Sequence, residues 1–324
     1  MLLWLGGYVS VGASREAKAN NKYMGKEYNA LLQAVYILYI DANNLYGLAM
    51  SRALPYGKFE WITDEKLEEI RLDIHKSIMK IDHEGPEGVI LEVDLEIDPE
   101  LHDKFNELPP APIKRCVNPE ELSRTYQQPL MADIGTGTGI YRTPKLICDL
   151  ANKTGYIAHY STLQEYIKMG VKITKVHRGI QFCQKAWMAE YINFNTFKRS
   201  QARNEFEKNF WKLMNNSSFG KTIEQKRRRQ NVVIVTNEEQ ARRYTNKPTV
   251  QKIIPINETT CIFLMKRLSV YLDKPIAVGT SVCEIAKSVM YDMHYTCIKK
   301  FYGKRAILLY TDTGKTIGFF YVKL

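Results

Sequence analysis

The run Ala34-Val35-Tyr36-Ile37-Leu38-Tyr39-Ile40-Asp41-Ala42-Asn43-Asn44-Leu45-Tyr46-Gly47-Leu48-Ala49-Met50-Ser51 decides how the chain is read. Its first seven residues are apolar, β-branched or aromatic, without polar alternation, which predicts a buried strand. That strand delivers a carboxylate, Asp41, at its tip, and a polar helix is expected to follow. A second apolar run, Ala306-Ile307-Leu308-Leu309-Tyr310, arrives at another aspartate, Asp312. Between the two lies a helical stretch near 204–224. There Phe206, Phe210, Leu213 and Ser217 share one face at about 100° per residue, and Lys208, Lys212 and Asn216 recur at i, i+4 and i+8 on another.

Composition frames these segments. The 324 residues are enough for roughly two domains with a sizeable core. Hydrophobic residues at 45% and charged residues at 25% exclude the disordered, collagenous and disulfide-scaffold classes. No apolar run reaches the ~18 residues of a membrane span, and Met1 to Gly7 is short and lacks the basic flank of a signal peptide. The six cysteines, at 116, 148, 183, 261, 283 and 297, are widely spread with no histidine at ligand spacing. They read as buried thiols in a reducing compartment, not as a zinc site. The net charge is +11, and Lys198 to Arg229 holds ten basic against three acidic residues. Such a cluster suits a polyanionic partner or, equally, a solvated helix face.

Elsewhere, Asp64 to Lys80 has apolar residues at 67, 70, 74 and 78 and predicts one helix. Val89 to Ile97 alternates as a half-buried strand, and Leu108-Pro109-Pro110-Ala111-Pro112 interrupts regular structure. Residues 113 to 153 read as irregular. They include Asp133-Ile134-Gly135-Thr136-Gly137-Thr138-Gly139, which resembles the glycine loop of methyltransferases. Only Leu130-Met131-Ala132 precedes it and Pro144 soon follows, so it lacks the strand and helix such a loop joins and reads as a surface loop. A helix capped by Ser161 runs to Met169, strand material spans 171–182, and a long helical segment starts near Trp187. Strand-like runs follow at 232–235, 262–265 and 268–272, then a helix over 280–300.

Two strand-end aspartates with a lysine-bearing helix between them suggest phosphoryl chemistry. Carboxylates on rigid strands can hold a pair of divalent cations, and cations opposite them neutralise a triphosphate. An aspartate at a strand end is, taken alone, more often a cap or turn residue.

The motifs narrow the choice. Asp41-Ala42-Asn43-Asn44-Leu45-Tyr46-Gly47 resembles the first polymerase motif of family B DNA polymerases, and Lys212-Leu213-Met214-Asn215-Asn216-Ser217-Ser218-Phe219-Gly220-Lys221 resembles the second. Tyr310-Thr311-Asp312-Thr313 resembles the start of the third, and the order is the family's. The run continued through Leu48-Ala49-Met50-Ser51 is similar to the protein-primed branch of viral, organellar-plasmid and Maverick-type transposon polymerases. Trp4-Leu5-Gly6-Gly7 resembles the Tyr-x-Gly-Gly element, with Trp in place of Tyr.

The resemblance implies an α+β fold: a palm with a mixed or antiparallel sheet and helices, plus helical fingers, without exonuclease or thumb. It implies palm over 1–62, an insertion that meets a priming protein or DNA over 63–185, fingers over 186–230, a second insertion over 231–262 and palm again over 263–324. Asp41 and Asp312 would be catalytic, and with the Ala42 carbonyl would hold two Mg2+ or Mn2+ ions. Leu45, Tyr46, Lys212 and Asn216 would bind the incoming dNTP, with Lys208 and Lys198 as further phosphate contacts. Tyr46 would exclude a 2′-hydroxyl. Gly6, Gly7, Ser217, Phe219, Gly220, Lys221, Tyr310 and Thr313 would meet primer–template DNA, although Phe219 could equally be a packing aromatic. A priming terminal protein would be a partner, and the location intracellular, nuclear if transposon-encoded. One departure is serious: the third motif has Gly314 where the family has its second aspartate, and Lys315 where it has serine. The implied metal pair loses a principal ligand, and the implied nucleotidyl transfer is correspondingly weakened. A chain that keeps only DNA binding is the alternative expectation.

Overall fold

The computed structural model describes residues 9–11, 17–122, 124–125, 128, 143–312 and 315–321. Gly6, Gly7, Thr313, Gly314 and the 133–139 loop lie outside them. In chain order the elements begin with β1 (Val9–Val11), β2 (Val35–Asp41), α1 (Leu45–Met50), β3 (Leu54–Trp61), α2 (Asp64–Leu72), α3 (Ile74–Met79) and β4 (Glu87–Glu96). An antiparallel pair, β5 (Ile113–Arg115) and β6 (Lys145–Ile147), precedes β7 (Lys153–His159), α4 (Tyr160–Met169), β8 (Lys172–Lys185), α5 (Ala189–Ser200) and α6 (Glu205–Thr222). Then come β9 (Gln230–Val235), α7 (Glu238–Thr245), β10 (Val250–Pro255), β11 (Cys261–Lys266) and α8 (Ile276–Asp292). A π-helical turn over Met293–Ile298 leads to β12 (Ala306–Asp312) and β13 (Lys315–Tyr321).

The class is α+β, with antiparallel pairing throughout the described strands. The chain forms two compact units, residues 1–219 with 277–324, and residues 220–276. In the first, one sheet has the order β1-β12-β13-β2 and another the order β3-β8-β4-β7. The second sheet carries the larger core: Leu91, Val93, Leu95 and Val176 face Leu67, Ile78, Leu163 and Tyr166 of the helices laid on it. A separate core of Leu45, Ala49, Met50, Leu54, Ile192, Val282 and Ile285 joins α1, α5 and α8. The second unit is a three-stranded sheet, β10-β11-β9, closed over Val235, Phe263 and Met265.

Several expectations are corrected. The Ala34–Ile40 run is a strand but not a buried one: Ile37, Leu38 and Tyr39 are 39–58% exposed. The 64–80 helix is broken at Asp73, whose backbone leaves the helical region and whose carboxylate caps α3 by accepting from Lys76 N–H. α4 is capped by His159, not Ser161; Ser161 is buried, and its amide donates to His159 Nδ1. The 268–272 run is not a strand, and β10 takes the third place in the sheet. α7 fills the gap between β9 and β10. None of the six cysteines forms a disulfide, but only Cys283 is buried, and Cys116 and Cys297 are exposed. Among the described residues no helix is long and apolar enough to cross a membrane.

Candidate functional site

The register of the first sheet assembles the aspartates. Asp41, the last residue of β2, lies opposite Lys315 on β13, and Lys315 lies opposite Asp312 on β12. Residues directly opposed in an antiparallel sheet share a face, so Asp41 and Asp312 stand in one row two strands apart, roughly 10 Å between Cα atoms. Asp41 is exposed and Asp312 half-buried.

The chain must then reverse to start α1. Asn44 does this in the left-handed region, at φ 58° and ψ 43°, a conformation asparagine tolerates better than most residues. A Cβ at position 47 would run into the Asn44 side chain, so a larger residue than Gly47 would have to displace the Asn44 amide. The Asn44 amide, in turn, donates to Thr196 Oγ1 on α5 at 3.3 Å. Leu45 is buried in the core beneath α1, which leaves its side chain supporting the site from behind.

Tyr46 is half-buried and stacks on Phe219 of α6, with ring centroids 4.3 Å apart and planes 15° from parallel. This contact ties the first motif segment to the second. Asn195 of α5 and Asn215 of α6, both 1% exposed, share a hydrogen bond of 2.9 Å. α6 therefore docks through Asn215, Ser218 and Phe219, while Phe206, Phe210 and Leu213 remain exposed. Lys212, Asn216 and Ser217 are exposed, and Lys212 makes no ion pair among the described residues. Lys208 pairs with Glu205 at 3.0 Å, and Lys198 lies over the Phe194 ring at 5.5 Å. Gly220 and Lys221 continue α6 into its last turn, where Lys221 reaches Glu224 at 3.6 Å. Arg229 beside Glu224 holds that carboxyl down to about 2, with Lys221 and Lys274 assisting. Tyr310 is half-buried on β12, and Ala42 packs at the edge of the α1 core.

The residues that sequence reasoning missed are Asn195 and Asn215. A signal exists for both: asparagine is a poor helix former, and its place mid-helix needs a partner for the side-chain amide. As for metal donors, the described residues hold no cluster of three or more His, Cys, Asp or Glu that could bind an ion. Asp94, on β4, is engaged within its own sheet. It accepts from Gly155 N–H at 2.8 Å and contacts His177 Nε2 at 2.7 Å, and the His177 hydrogen bond holds its carboxyl below the usual range.

Comparison with known proteins completes the picture. A family model described as DNA polymerase type B, organellar and viral, matches residues 23–274. Phi29 DNA polymerase, in a ternary complex with primer–template DNA and incoming nucleotide, is similar at 15% identity and a TM-score of 0.50; 98% of this chain and 42% of that chain are covered. An orthorhombic crystal form of the same polymerase gives 15% identity and a TM-score of 0.49, over 99% of this chain and 42% of that one. The chain thus spans less than half the length of those polymerases. No curated protein matches it. At this identity the structural likeness speaks for the fold, whereas the family match extends over more than three quarters of the sequence. The chain belongs to the organellar and viral type B DNA polymerases.

Proposed function

We infer that this chain carries the nucleotide- and DNA-binding wall of a type B DNA polymerase, with nucleotidyl transfer curtailed at the aspartate row. The observation that carries the reading is the Tyr46–Phe219 stack, which joins two segments resembling polymerase motifs and lies two turns along α6 from the exposed Lys212. Lys212 supplies positive charge for a triphosphate, with Lys208 and Lys198 further along the same region. Asn216, one turn beyond Lys212, faces the nascent base pair. The Tyr46 ring, fixed from behind by Phe219, leaves no room for a 2′-hydroxyl and so selects deoxynucleotides. Ser217, Gly220, Lys221 and Tyr310 contact primer–template DNA, and the segment over 63–185 meets a priming terminal protein.

The family implies divalent cations such as Mg2+. Asp41, the Ala42 carbonyl and Asp312 are the donors present, and the position that would add a further carboxylate is Gly314, followed by Lys315. This set does not complete a two-cation site, which needs several carboxylates close together. The polymerase reading therefore rests on binding and positioning first.

The test is single-nucleotide incorporation on a primed template with Mg2+ or Mn2+, comparing the chain with Gly314→Asp and Asp41→Ala. The expected result is weak or no incorporation by the chain, a gain of at least about tenfold in Gly314→Asp, and loss in Asp41→Ala. Equal activity in all three would overturn the assignment of Asp41. A second reading, DNA binding without transfer, is favoured by the charge of the 220–276 unit, twelve Lys and Arg against five Asp and Glu. It predicts salt-sensitive DNA binding and no incorporation even in Gly314→Asp.

A further inference from the structure

The strand that bears Asp312 contains a bulge. β12 pairs Leu308 with Gly318 but Tyr310 with Ile317, so Leu309 is an extra residue in the ladder. Burial along the strand records the consequence. Ala306 and Leu308 are buried, Ile307 is half-buried, and after the bulge the pattern inverts: Leu309 and Thr311 are buried while Tyr310 and Asp312 are half-buried. Without the extra residue Asp312 would fall in phase with Ala306 and Leu308, on the buried side, because a one-residue slip exchanges the two faces of a strand.

Something must hold the bulge in place. Among the described residues, β1 pairs with the outer edge of β12 from Tyr310 to Asp312. Before that, Glu107 takes over: its Oε2 accepts from the Leu308 N–H at 2.8 Å. Lys299 Nζ reaches Glu107 Oε1 at 2.6 Å and the Ala306 carbonyl at 2.7 Å, so one ion pair grips the strand on both sides of Ile307. The segment carrying Glu107 is itself anchored, since Tyr295 Oη donates to the Leu108 carbonyl and Tyr291 Oη to the Pro109 carbonyl, both at 2.7 Å. All these tyrosine and lysine donors come from α8 and the helical turns that continue it.

We propose that Glu107, clamped by Lys299, is a positioning residue that locks the bulge at Leu309 and thereby sets the face on which Asp312 stands in the row with Asp41. Its importance for nucleotidyl transfer rests on the polymerase reading above; the lock itself does not.

The test reads the two faces directly in the full chain. Single substitutions Thr311→Cys and Asp312→Cys are labelled with a thiol reagent and followed by peptide mass spectrometry, which separates them from the native cysteines. With Glu107 intact, position 312 labels faster than position 311. In Glu107→Ala the ratio falls by at least about tenfold or inverts, as bulge and register are released. Glu107→Gln keeps an acceptor for the Leu308 amide and retains most of the ratio. An unchanged ratio in a folded Glu107→Ala chain overturns the proposal. So does a ratio that falls as far in Glu107→Gln as in Glu107→Ala, because the role would then belong to the ion pair alone. If Glu107→Ala does not fold, amide exchange at Leu308 in Glu107→Gln decides: protection retained supports the lock, and protection lost overturns it. Failure of the polymerase reading would appear instead as no incorporation even in Gly314→Asp, with the labelling ratios intact.

Discussion

The wall around Tyr46 and the aspartate edge are built on opposite terms. Behind the wall, Ala49, Met50, Leu54 and Ile192 are at most 2% exposed, and the Tyr46–Phe219 stack and the Asn195–Asn215 bond close it. Along the edge, Asp41 ends a strand whose Ile37, Leu38 and Tyr39 are largely open to solvent. A wall residue is held by packing and by whatever function it serves, so its replacement is penalised twice. A carboxylate at an exposed strand end answers only to chemistry. The difference explains how Gly314 and Lys315 can occupy the third motif while the neighbouring strands keep their register.

The comparison breaks most forcefully at the core behind the wall. Leu54→Ala or Ile192→Ala removes a fully packed side chain and is expected to cost about 2–5 kcal/mol in denaturant unfolding. A loss under ~1 kcal/mol would show that the wall is not packing-controlled. The next effect is acid sensitivity of the larger core. Burial pushes His159 down to about 3 and His294 to about 4; for His294 burial prevails although Glu107 stands 4.0 Å away, with Lys299 adding to the shift. Both histidines are therefore neutral in the fold, in keeping with Nε2 atoms that find no hydrogen-bond partner among the described residues. The unfolded chain protonates near pH 6.5, so it binds more protons than the folded chain below that value. Stability is full above pH ~6.5 and is lost as pH falls toward the folded values; about 1–3 kcal/mol is expected to go between pH 7 and 5.5. A flat thermal midpoint over that range would contradict it.

Much of this is legible in the sequence, and the failures have physical causes. Asp41 at a strand tip and a helix after it follow from the apolar run and its acidic end, although α1 is apolar and largely buried where a polar helix is expected. The exposure of Ile37 to Tyr39 does not, because an apolar run says what a strand could bury and not whether anything covers it. On α6 the apolar periodicity of Phe206, Phe210 and Leu213 points to the exposed face, since the docking face is set by the Asn195–Asn215 bond and the Phe219 stack. Asp73 breaks the 64–80 helix by offering its carboxylate to the Lys76 amide, a local competition that apolar spacing cannot register. The bulge at Leu309 is invisible for a related reason. Ile307, Leu308 and Leu309 are all apolar, so the sequence has no alternation whose phase could shift.

A smaller effect sharpens the account of the wall. Asn215→Ala leaves the Asn195 amide buried without its acceptor and is expected to cost about 1–2 kcal/mol. The double variant Asn195→Ala with Asn215→Ala should recover part of that loss, since no polar group is then stranded. Additive losses would mean that each asparagine acts through packing rather than through the shared hydrogen bond.

The smallest expected effect lies at the edge. Asp41→Asn keeps the shape of the side chain and removes one charge from an exposed strand terminus, where surface substitutions shift stability by no more than about 0.5 kcal/mol. The chain has a net charge of +11, so losing a negative charge slightly increases self-repulsion, and the sign should be destabilising and salt-dependent. Unfolding measured at low and at high salt separates the two contributions: the difference between the unsubstituted chain and the variant should vanish as salt screens the field. A loss above ~1 kcal/mol that persists at high salt would mean that Asp41 holds the strand end together, and the contrast between a packed wall and a chemically maintained edge would fail at its most exposed residue.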